Sequence, residues 1–295
     1  MAAAKTSVLG LGLLFVGAAV DSTSGLFTRL LPADGFTTAS GRGFVAFAFL
    51  FLVLAIRERG RVLAPILGLG LWGAAFVAIN AGGMVMNILS LKLTSVANFF
   101  MIFATAPFIA AVLGRVLLKE RLDLATMFAA VAGFVGIAVM MLGGTSGGVN
   151  LGDVLALLVV LTYATIVLIV RKAGALDILP LCTVTVLASG FLALPLADFS
   201  PMTARDWGVL GALGVFQLAI GNLLIFNAVA RIPAAQGGLL GILIAGFAPL
   251  WVFLVLGEVP PPATLYGGAI ILGAAVLHLI WTIRAARKPL ASAPL

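Results

Sequence analysis

Residues 124–142 read Leu-Ala-Thr-Met-Phe-Ala-Ala-Val-Ala-Gly-Phe-Val-Gly-Ile-Ala-Val-Met-Met-Leu, a stretch with no charged side chain and only Thr126 to interrupt its apolar run. Coiled as a helix at about 1.5 Å per residue, it nearly matches the roughly 30 Å hydrocarbon core of a bilayer. The run is continuous and does not alternate, which excludes a strand of a membrane barrel. Its neighbours repeat the pattern. Apolar runs of spanning length fall at 7–28, 37–56, 63–88, 95–115, 124–142, 152–170, 178–197, 207–229, 234–256 and 263–283. Breakers lie between them, among them Pro32, Asp34-Gly35, Arg57-Glu58-Arg59-Gly60-Arg61, Ile232-Pro233 and Pro260-Pro261-Pro262. The expectation is an all-α integral membrane protein of ten transmembrane helices.

Composition agrees. The 295 residues are 63% hydrophobic and 9% charged, with a mean hydropathy of +1.26, whereas soluble chains carry about 25% charge. Ten spans leave no room for a soluble catalytic or nucleotide-binding domain beside them. The first apolar stretch lacks a cleavage pattern and reads as the first span. The net charge of +7 sits in loops and calls for no nucleic acid. With Cys182 and His278 each alone, neither a disulfide nor a zinc site is expected, and no cofactor or obligatory protein partner is called for.

Basic residues orient the chain. With the N-terminus cytoplasmic, that side holds Lys5, Arg57, Arg59, Arg61, Arg115, Lys119, Arg121, Arg171, Lys172, Arg231, Arg284, Arg287 and Lys288, thirteen in all; the other side holds Arg29, Lys92 and Arg205, and Arg42 lies within a span. The positive-inside rule then puts both chain ends in the cytoplasm, in a bacterial inner membrane.

The chain also repeats itself. Placing Glu120 on Glu258 aligns Ala97-Asn98 with Ala235-Gln236, Gly83-Met84 with Gly221-Asn222 and Thr126 with Thr264 without a gap. Farther upstream, placing Arg29 on Arg171 aligns Asp21 with Tyr163 and Thr23 with Thr165. The unit is five helices, residues 1–145 and 150–288. An odd unit enters the membrane from the opposite side the second time, so the two are inverted repeats, an arrangement that places a substrate site near the midplane.

These residues carry a resemblance. Leu93-Thr94-Ser95-Val96-Ala97-Asn98, Ala106-Pro107-Phe108, Leu118-Lys119-Glu120-Arg121 and Gly133-Phe134-Val135-Gly136-Ile137, echoed by Arg231-Ile232-Pro233-Ala234-Ala235, Ala248-Pro249-Leu250, Leu256-Gly257-Glu258 and Tyr266-Gly267-Gly268, resemble the EamA repeat of the drug/metabolite transporter superfamily. Within it the chain looks most like YddG-type exporters of aromatic and other amino acids. It departs from the common pattern at Val20-Asp21-Ser22-Thr23, where many members carry Trp-Gly. The resemblance implies a central cavity formed by helices 1, 3, 4, 6, 8 and 9, alternating access by rocking of the halves, and export as the direction of flux.

The polar residues give a separate reading. Polar side chains at mid-span face a cavity or a partner, because lipid and dry core penalise them. Asp21, Asn80, Asn87, Asn98, Thr105, Thr162, Tyr163, Thr165, Gln217, Asn222, Asn227 and Gln236 concentrate on helices 1, 3, 4, 6, 8 and 9. Of these, Asn80, Asn87, Asn98, Tyr163, Asn222 and Gln236, with Met84 and Phe99 as apolar contacts, are the substrate-binding candidates. Asn80, Met84 and Asn87 share one helix face by their i, i+4, i+7 spacing. Asn98 and Gln236 stand near helix starts, as gate residues or as caps. Asp21 and Arg42 are expected as an ion pair, with substrate or proton work by Asp21 as the alternative. Gly237 and Gly241 read as a small-residue packing pair, and Glu120 and Glu258 as loop structure. No protease dyad, buried Schiff-base lysine or channel filter is present in the sequence. Amides, hydroxyls, Met and Phe around few charges suit a small, net-neutral amphiphile, an amino acid above all; the alternative is a quaternary ammonium drug held by Asp21.

Overall fold

The structure is a computed structural model that describes residues 8–119, 124–143, 150–173, 176–229, 231–232 and 238–287. Among the described residues ten helices are long and apolar enough to cross a membrane. Span 1 is α1 (Val8–Asp21) and α2 (Ser24–Leu30), span 2 is α3 (Gly35–Arg57), and a short α4 (Leu63–Leu67) precedes span 3, α5 (Gly70–Leu93). Span 4 is α6 (Val96–Phe103) followed by α7 (Ala106–Leu118), span 5 is α8 (Leu124–Leu142) and span 6 is α9 (Leu151–Ala173). Span 7 is α10 (Ile178–Ala193). Span 8 comprises α11 (Ala204–Gly211), a π-helical segment Ala212–Ile220 and α12 (Gly221–Val229). Spans 9 and 10 are α13 (Gly238–Leu256) and α14 (Pro262–Arg287).

Local chemistry sets the boundaries. Asp34 caps α3 by accepting from the amides of Phe36 at 2.7 Å and Thr37 at 3.0 Å. Thr203 and Asp206 form a capping box at the start of α11. Span 3 differs from its expected limits of 63–88. Gly70 adopts φ +61°, a turn that glycine takes at little steric cost; it separates α4 from α5 and carries the span on to Leu93. Apolar composition alone cannot see such a break.

The helix pairs follow a pseudo-two-fold pattern in which each span n is exchanged with span n+5. Span 3 packs on span 6 as span 8 packs on span 1, and span 4 packs on span 6 as span 9 packs on span 1. Spans 2 and 7, and spans 5 and 10, pair across the axis. These self-paired crossings are close. A Cβ on Gly43 would come within 2.7 Å of the Val186 carbonyl oxygen, and one on Gly136 within 2.7 Å of that of Gly267. The fold is therefore ten transmembrane helices in two inverted five-helix repeats.

Two groups of helices stand at the face at which span 1 begins, here the terminal face, with Ile242 of α13 packed on the cluster around Phe108 between them. There α1 packs with α12 and α13, while α7 packs with α9 and α8. Toward the far face the groups meet, α6 against α13 and α2 against both α5 and α13. The largest core cluster lies at that junction, including Phe99, Ile102, Ala245, Ala248 and Val252.

Candidate transport site

Span 1 is interrupted in mid-membrane. After Asp21 closes α1, the hydroxyls of Ser22 and Thr23 turn back to the carbonyls of Ala19 at 2.7 Å and Val20 at 2.6 Å, local bonds that compete with the helix ladder. Trp251 of α13 braces the break by donating to Ser22 Oγ at 2.9 Å. Span 8 approaches from the other side. Its π-helical segment brings Gly221 to within 3.7 Å of the Asp21 amide nitrogen and Gly214 to 3.0 Å of the Arg42 carbonyl oxygen, measured from a Cβ placed on each glycine. Gln217, 3% exposed, stands in that segment and donates through Nε2 to Asp21 Oδ1 at 2.7 Å.

Asp21 and Arg42 do not form the expected ion pair. Among the described residues the ion pairs join Arg29 to Glu258 and Arg57 to Glu58 and Asp177. Arg42, 4% exposed, donates instead to the Met84 carbonyl at 3.1 Å. The broken helix sets the difference: it presents Asp21 to span 8, while the tight packing of span 2 on spans 7 and 8 directs Arg42 to span 3. The two opposite charges thus make no direct contact, but they still act on one another at longer range.

On α5, Gly83 abuts Thr162 of span 6, while Val85 and Ile88 join a cluster with Ala39 and Leu213. Asn80, Met84 and Asn87 lie on the arc between those two contacts. Asn80 and Asn87 are half-buried, as is Asn222 on α12. Met84 packs toward the cluster around Leu50, Cys182 and Leu218 and serves Arg42 through its backbone. Tyr163, 40% exposed, meets Phe103 edge-on at 5.4 Å between ring centroids. Phe99 is placed elsewhere: 1% exposed, it stacks on Phe103 from within the core at 6.1 Å. A cavity of about 340 Å³ opens at the terminal face between spans 2, 7 and 8, lined by Leu50, Cys182, Asn222, Leu223 and Asn227 and rimmed by Arg57 and Asp177. Gln236 and Glu120 lie outside the described residues, as does Gly237; a Cβ on Gly241 would meet nothing within 4 Å, so this glycine makes no close helix packing.

Asn98 belongs to a polar network at the far face. Asp153, 2% exposed, accepts from Thr94 Oγ1 at 2.5 Å and from Asn98 Nδ2 at 3.2 Å. Asn98 in turn accepts from the Thr264 hydroxyl. Beside it Arg29 Nε pairs with Glu258 at 3.2 Å and Arg29 Nη2 donates to the Thr94 carbonyl at 2.7 Å. The network ties spans 1, 4, 6 and 10 together where the two helix groups meet. Sequence reading did not assemble it, because its partners are far apart in the chain, Asn98 and Thr264 by 166 residues. Nor did it reveal the partnership of Gln217, which depends on a π-helical register.

Comparisons with known proteins agree with this architecture. A solved crystal structure superposes with a TM-score of 0.67 at 17% identity, over 95% of this chain and 99% of that one, a likeness of fold. No curated protein matches the chain. The model of the EamA-like transporter family matches residues 8–142 and 150–280, one match to each half of the pseudo-symmetric helix bundle. A ten-helix membrane chain built on two such units belongs to the EamA-like transporter family.

Proposed function

We propose that the protein is a secondary transporter that moves small, net-neutral amphiphiles, amino acids first among them, by alternating access, as YddG-type exporters do. The observation that carries this reading is that Asp21 and Arg42, both within the spans, make no direct ion pair and turn to Gln217 and to the Met84 carbonyl instead; half-buried Asn80, Asn87 and Asn222 and the Tyr163–Phe103 ring pair supply further amide and aromatic surface. Buried charges left apart are expensive unless a ligand or water completes them. A zwitterion offers both complementary charges, and its side chain gains from the aromatic wall. The cavity between spans 2, 7 and 8 at the terminal face, against the polar network at the far face, supports a state open to one side. The excess of basic residues on the terminal side supports assigning that side to the cytoplasm of a bacterial inner membrane.

A second reading keeps a footing because Asp21 is partnered by a neutral amide and not by Arg42: a carboxylate so placed also suits a cationic drug. Uptake of labelled phenylalanine, tryptophan, methionine and threonine into proteoliposomes preloaded with the same unlabelled compound, without a pH gradient, separates the two. Exchange above empty liposomes is expected. Its absence, with transport of a quaternary ammonium dye, reverses the order of the readings.

A further inference from the structure

Gln217 is a buried polar side chain, yet only half of its amide is used. Nε2 donates to Asp21 Oδ1 at 2.7 Å and lies 3.4 Å from the Asp21 carbonyl oxygen. Oε1 is buried and accepts from no group among the described residues. A buried carbonyl without a donor costs free energy, and interiors rarely keep one without a use. The bond to Asp21 fixes which end of the amide is free: a carboxylate requires the nitrogen, so the unfilled oxygen is the other atom of the amide head that Asp21 holds.

The surroundings favour a positive donor at this point. Asp21 is the last residue of α1, so the helix directs its negative end to the place where the carboxylate stands. Arg42, the opposite charge, gives its hydrogen bond to the Met84 carbonyl and acts on Asp21 only at a distance, so it leaves the carboxylate without a direct cationic donor. The π-helical segment Ala212–Ile220 holds Gln217 here, and such irregular turns recur at functional sites. The matching stretch of span 3 lies within the regular helix α5, so the device is built into one repeat only.

Resting on the transport reading above, we propose that Asp21 and Gln217 form an acceptor pair for the N–H-bearing ammonium of the substrate, and that Gln217 is the residue that discriminates it from a fully methylated nitrogen. Asp21 attracts either cation through its charge. Gln217 Oε1 is satisfied only by an N–H, and a site built to hydrogen-bond a group rejects the analogue that lacks it.

The test is ligand-induced thermal stabilisation of the purified full-length protein by four probes: phenethylamine, its N,N,N-trimethyl derivative, phenylalanine and 3-phenylpropionate. Phenethylamine is expected to bind at least about tenfold more tightly than the trimethyl compound. Gln217→Met, similar in shape but without the acceptor, is expected to reduce that ratio several-fold, leaving only the steric share. Asp21→Asn, which removes the charge and leaves Gln217 in place, decides alone if the Met variant does not fold: phenethylamine binding unchanged in it refutes the pair. An unchanged ratio in Gln217→Met overturns the proposal, as does failure of both amines to bind or equal binding of phenylalanine and 3-phenylpropionate. Binding of phenethylamine without phenylalanine leaves the acceptor pair standing and removes the amino-acid reading instead.

Discussion

Asp153 and Asn98 show how a polar residue in a spanning helix is tolerated: each acceptor faces a donor supplied by another span. Asp153→Asn sets a second amide against Asn98 and Thr94, and is expected to destabilise the protein by about 1–3 kcal/mol, the range for a disturbed buried hydrogen bond, read as a lower melting temperature in detergent. The Arg29–Glu258 pair is partly exposed, its side chains 26% and 28% accessible, and so is worth about 1 kcal/mol at most. Arg29→Ala also gives up the bond to the Thr94 carbonyl and Glu258→Ala the one from the Val96 amide, so the double variant should cost less than the sum of the two single variants by at most about that amount, read in a double-mutant cycle. At this scale the sequence was readable in kind and not in pairing. Asp21, Arg42 and the amides stand out as intramembrane polar residues, but whether Asp21 meets Arg42 or Gln217 depends on helix breaks that leave no compositional mark.

Among the elements, the glycines separate into those that carry crossings and those that do not. Gly136 and Gly267 face each other where spans 5 and 10 cross, and a Cβ on Gly267 would stand 2.4 Å from the Gly136 carbonyl oxygen. Backbone cannot yield as a flexible side chain does, so Gly267→Val is expected to cost more than the roughly 1–3 kcal/mol of ordinary overpacking, and to reduce the folded yield in membranes. Gly241, with open space around it, is the contrast: Gly241→Ala is expected to stabilise α13 by about 0.5–1 kcal/mol through backbone entropy alone, checked by the same melting measurement. The number and order of the spans were plain from hydropathy, because the bilayer demands long apolar helices. The start of span 3 at Gly70, the interruption after Asp21 and the π-helical segment of span 8 were not, since each is a local departure in dihedral angle and not in polarity.

Across the whole molecule, the asymmetry between the two faces is the feature with the widest reach. Asn227, on the rim of the cavity between spans 2, 7 and 8, is open to the terminal face. Asn227→Cys in a Cys182→Ala background is expected to react with a membrane-impermeant maleimide in inside-out vesicles and not in intact cells, a result that fixes both the sidedness of the chain and the opening of the cavity. The ten-helix architecture followed from the sequence almost entirely, while the closure at the far face did not, because it joins Thr94 and Asn98 to Asp153 and Thr264. That closure also constrains biogenesis. The carboxylate that completes Asn98 arrives with span 6 and the hydroxyl with span 10, so a nascent chain halted after its fifth helix holds an uncompensated amide in the lipid. Assembly of the far face is thereby expected to wait for the tenth helix.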